Sequence, residues 1–131
     1  MDKPAGFAAV LLGLAFSFGA MAQDSLLTAH ISAKGEVLRQ SPAWIEKVDR
    51  MAQANYLTEY KLTLNKRIVH MDPGFCTVSP IDKSTEAATL HGQAKVIGKP
   101  SAETATVITQ LVDMNKPSGD NSLEFLILCT R

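Results

Sequence analysis

The chain has 131 residues, and 13 Lys and Arg balance 13 Asp and Glu, so its formal charge is zero. That balance argues against nucleic acid as a partner, because phosphate binding draws on a basic surplus. The two cysteines, Cys76 and Cys129, form no CxxC, and His30, His70 and His91 are widely scattered, so no zinc-type spacing is present and no cofactor or metal is expected.

The first segment, "MDKPAGFAAVLLGLAFSFGAMAQDS", begins with Lys3 and a free amine, continues with an apolar run from Phe7 to Ala20 and closes on Ala20-Met21-Ala22. Charged start, short apolar core and small-residue cleavage site are the parts of a secretory signal. The run is about 14 residues, short of the roughly 20 that cross a bilayer as a helix. The reading is a cleaved signal peptide at 1–22 and one domain at 23–131, a periplasmic or secreted bacterial protein with no stable membrane insertion after cleavage. Such a chain matures in an oxidising compartment, where Cys76 and Cys129 can make only one bridge. The expected product is a single disulfide-stapled domain.

"LLTAHISAKGEV" alternates, with Leu27, Ala29, Ile31 and Ala33 on one face and Thr28, His30 and Ser32 on the other. This predicts a strand that ends or bends at Lys34-Gly35. "SPAWIEKVDRMAQANY" changes period: Ser41 suits an N-cap and Pro42 the first helical position. At 100° per residue, Trp44, Ile45, Val48, Met51, Ala52 and Tyr56 fall in an arc of about 140°, which predicts an amphipathic helix over about 42–55. "YLTEYKLTL" returns to period two, with Tyr56, Thr58, Tyr60, Leu62 and Leu64 on the apolar face. Asn65-Lys66 is read as a turn and "RIVHM" as a further strand. Asp72-Pro73-Gly74 is a strong turn signal, and "FCTVS" runs extended to Pro80. After a polar loop at 81–86, "AATLHGQAKVI", "TATVITQLVDM" and "LEFLILC" read as strands, the last two separated by the polar turn "NKPSGDNS".

Strand, helix and then consecutive strands predict an α+β domain, with the 42–55 helix packed on a mainly antiparallel sheet of five to seven strands. The alternative is an immunoglobulin-like β-sandwich. "LEFLIL" is apolar on both faces, so it needs cover on both sides. Either the strand near 27–33 returns to pair with it, or another chain does.

No G-x-S-x-G, P-loop, zincin or calcium-loop spacing occurs. "HMD" places His70 and Asp72 on one strand face, but no nucleophile accompanies them. The expectation is a non-catalytic exported protein that binds another protein, as an inhibitor, immunity or assembly-accessory factor. Its candidate binding residues are Trp44, Leu126 and Leu128. The alternatives are a structural subunit of a surface fibre or pilus, and a small-ligand carrier or enzyme with a cavity between helix and sheet.

Overall fold

The computed structural model describes residues 25–81 and 90–131. The expected signal segment at 1–22 and the polar loop from 82 onward lie outside the described residues. Eight strands follow in order: β1 (Leu26–Ile31), β2 (Val37–Ser41), β3 (Ile45–Gln53), β4 (Leu57–Leu64), β5 (Cys76–Pro80), β6 (Gly92–Ile97), β7 (Thr104–Leu111) and β8 (Phe125–Thr130). They form two four-stranded sheets, ordered β2-β1-β8-β5 and β3-β4-β7-β6, with every pairing antiparallel. β5 and β6, edge strands of different sheets, lie side by side. β5, β6 and β7 therefore run consecutively around the sandwich and β8 returns beside β5, which is Greek-key order.

The architecture corrects the α+β expectation. Residues 42–55 form no helix; they supply the corner after β2, the strand β3 and the turn that follows. The strands exceed the expected five to seven because Val37–Ser41 pairs with β1 and Ile45–Gln53 pairs with β4. The sandwich alternative matches the layers. The disulfide, however, joins neighbours within one sheet, and Trp44 lies in the β2–β3 corner.

The helical pattern has a local cause. The Ser41-Pro42 peptide is cis, and the chain turns there from the first sheet to the second. Trp44 ends the corner with no exposed surface, and Ile45 beside it is also buried. The pairing of β3 with β4 then shifts between Ile45 and Lys47. A bulge adds one residue and resets which face follows, so Val48 packs on the core three residues after Ile45. Adjacent buried residues followed by an inward residue three positions later imitate helical spacing. Met51 and Tyr56, also in the predicted arc, are about 59% and 60% exposed.

"RIVHM" is also corrected, because it is a turn and not a strand. The Ile68 and Val69 N–H groups both donate to the Asn65 carbonyl, at 3.0 and 2.9 Å. The Asn65 side chain accepts from Arg67 N–H at 3.0 Å and donates to the Ala43 carbonyl at 3.2 Å. Satisfying its backbone locally removes the segment from the ladder.

The core is where the alternation of four strands converges. Leu27 and Ile31 of β1, Tyr60 and Leu62 of β4, Val107 of β7, and Phe125 and Ile127 of β8 are at most 2% exposed. Side chains of this size contribute about 1.5–3 kcal/mol each when buried. Trp44 closes the core at the corner, its indole N–H donating to the Thr28 carbonyl at 2.8 Å. Tyr60 and Phe125 meet edge to face at 5.1 Å, and the Tyr60 hydroxyl donates to the Ala33 carbonyl at 2.6 Å.

Candidate functional site: the outer face of the first sheet

β8 explains the position of the site. Its inward residues Phe125, Ile127 and Cys129 are buried, and its neighbours β1 and β5 pair with it on both edges. The first strand does return to cover the edge of "LEFLIL". The other face of β8 carries Leu126 and Leu128, and Leu126 remains 47% exposed. A central strand of an outward-facing sheet usually carries polar residues there. Two leucines side by side are a departure from that pattern.

Register fixes their neighbours. One row across the sheet runs Arg39, His30, Leu126, Ser79; the next runs Ser41, Thr28, Leu128, Thr77. Together these rows line an open groove of about 410 Å³. Its floor is apolar on β8, its flanks carry hydroxyls on β1, β2 and β5, and its charge is confined to one end. There His30 Nε2 lies 3.0 Å from Glu124 Oε2, with Glu124 only 8% exposed. The angle does not make this a well-formed hydrogen bond; it is a charge contact when His30 is protonated. Arg39 is exposed and makes no ion pair among the described residues.

The sequence-predicted residues divide. Leu126 and Leu128 come together on the groove floor, whereas Trp44 is fully buried and contributes packing and one hydrogen bond. Cys76 and Cys129 form the disulfide, as opposite residues of β5 and β8. Sequence reasoning missed Arg39, because the segment containing it was not recognised as a strand. It noted His30 only as a solvated strand residue. Local alternation offers no clean signal there: the register shift beside Ile31 makes Leu38 an extra residue, so Val37 packs on the core while Leu38 and Arg39 are both exposed.

A second, smaller cleft of about 240 Å³ lies beside Arg50, Asp120 and Asn121. Its groups already engage one another. Arg50 donates to the Ser122 hydroxyl at 3.1 and 2.7 Å and lies 3.7 Å from Asp120. The Ser122 hydroxyl, more than any other group, holds the Asp120 carboxyl below its ordinary range, with help from the Ser122 N–H and the Arg50 charge. This network braces a loop and leaves little unspent polarity for a ligand. Asp72 Oδ1 accepts from Ala102 N–H at 2.8 Å, and no ion pair joins Asp72 to His70 among the described residues. Among the described residues no three His, Cys, Asp or Glu side chains gather around a metal-sized space.

Comparison with protein-family models, with curated proteins and with solved structures finds no match to this chain.

Proposed function

We propose that this protein is an exported, non-catalytic carrier that holds a small, mainly apolar ligand in the groove over Leu126 and Leu128. The observation that carries the reading is the pair of leucines on the outer face of a central strand, set in a space of about 410 Å³. Small-ligand sites run from about 300 to 1,000 Å³ and are apolar with a few polar groups. A stable protein interface removes about 800 Å² from each partner, a much larger surface than two leucines and their hydroxyl flanks offer. Size therefore favours a small molecule over the protein partner expected from sequence, and the site lies outside the sandwich, not between helix and sheet. The fibre reading loses its motive, since β8 is paired on both edges. Export is supported by the disulfide, which suits an oxidising compartment, and by the leader pattern.

The test is titration with Nile red, a neutral dye whose emission reports an apolar site, against the native protein and Leu126→Asp. Leu126 is half-exposed, so the variant keeps the melting temperature within a few degrees. The reading predicts saturable binding that weakens at least tenfold in Leu126→Asp. Equal binding by both proteins, or none by either, overturns it.

A further inference from the structure

We infer that the ligand of this groove is a free single-chain amphiphile with one acidic head group, and that Arg39 reads the head. The inference rests on the carrier reading above and adds the ligand's chemical class.

The argument is one of charge placement. Among the described residues, two charged or titratable groups line one end of the groove, Arg39 on β2 and His30 on β1, with Glu124, just before β8, in contact with His30. His30 and Glu124 face each other at 3.0 Å. Arg39 stands apart from both, exposed at the rim and outside every ion pair among the described residues. The opposite end, around Thr28, Ser41, Thr77 and Leu128, carries no charge among the described residues. A ligand that satisfies both ends has an anion at one terminus and nothing charged beyond it.

Geometry sets the minimum tail. Arg39 and Leu126 sit two strands apart, about 10 Å across the sheet. An acid held by Arg39 reaches the leucines only through a chain of several carbons lying over His30 and Thr28. Guanidinium forms two parallel bonds to a carboxylate or to another planar acid, which a lysine in the same place would not. Arg39 offers a single guanidinium at that end, which suits one acidic group, so a monoacid fits better than a diacid. The groove accepts one chain, which favours a free amphiphile over a bilayer surface.

The experiment displaces Nile red with decanoate, decanol or decylamine, all below their micelle concentrations, from native protein and Arg39→Gln. Arg39 is exposed, and a melting curve confirms that the variant folds. The expected result is decanoate at least tenfold tighter than decanol in native protein, with decylamine weakest. In Arg39→Gln that preference collapses while decanol binds as before. Raising the salt shrinks the preference in native protein, because an exposed charge contact is screened. Equal affinity for acid and alcohol, or a preference that survives Arg39→Gln, overturns this inference while dye binding sensitive to Leu126→Asp leaves the carrier reading standing. Binding to phosphatidylglycerol vesicles without binding of free decanoate overturns it in favour of a membrane surface. Absence of dye binding removes both.

Discussion

Two buried side chains show how much single residues carry in this sandwich. Trp44 fills the β2–β3 corner with no exposed surface and donates to the Thr28 carbonyl at 2.8 Å. Trp44→Ala should cost about 3–5 kcal/mol, the range for emptying a large core site. Trp44→Phe keeps most of the ring but loses the bond to the Thr28 carbonyl, and should cost about 1 kcal/mol. Urea unfolding of the two variants separates packing from hydrogen bonding. Tyr60 is as deeply placed. Burial pushes its hydroxyl above the ordinary 10.0, against the pull of the Ser122 and Thr109 hydroxyls and the Arg50 charge. The unfolded chain therefore ionises at this residue before the folded one does. The resulting stability is complete below about pH 10 and is lost as the pH climbs through the folded value. Tyr60→Phe should be less stable than native protein by about 1 kcal/mol at pH 7, through the lost bond to Ala33. It should also fall less steeply above pH 10. Unfolding midpoints measured across that range give both quantities, and parallel alkaline limbs would contradict the assignment.

Among the elements, those with one wet face and one dry face were legible from sequence. β1 and β4 alternate cleanly; β7 read as a strand from its β-branched residues, although Val107, Ile108 and Thr109 are buried in succession; and β8 announced itself by apolarity on both faces. β2 and β3 were not legible, because a register shift in the pairing of each breaks the inward–outward contrast. Along β3 only Ile45 is buried, and the bulge after it breaks the period. The disulfide was legible from compartment and cysteine count alone. The groove was half legible: its leucines stood out in "LEFLIL", but Arg39 depends on a register no local pattern encodes. The β7–β8 connection read as a loose polar turn, yet its polarity is directed inward. Asn121 is 1% exposed; its Oδ1 accepts from Leu111 N–H at 2.7 Å, and its Nδ2 donates to Ser118 Oγ and the Gly119 carbonyl at 2.9 and 3.1 Å. Gly119, at φ 69, exchanges hydrogen bonds with Asn55 in the β3–β4 turn, at 2.7 and 2.8 Å. Asn121→Ala should cost about 1–3 kcal/mol, since it strands a half-buried backbone donor. Hydrogen exchange at Leu111 should accelerate by more than any other β7 amide.

For the whole molecule, the covalent link and the strand order act on the same sheet. Cys76 and Cys129 are 53 residues apart in sequence and opposite each other in the ladder. Closing a loop of that length removes unfolded-chain entropy worth about 4 kcal/mol in the simplest account. Cys76→Ala/Cys129→Ala should lose about 2–5 kcal/mol, and unfolded native protein, kept from reductant, should show no titratable thiol. The strand order has a consequence for timing. β8 follows the other seven described strands in sequence, yet it lies between β1 and β5 and is β5's only ladder partner among the described residues. Leu27 waits for Cys129, and Ile31 for Phe125. Contacts so distant in sequence close slowly, and here they cannot begin to close until residues 125–130 emerge. The first sheet of the nascent chain is thus held open by its own topology, a thread that still fits a narrow channel until β8 has emerged.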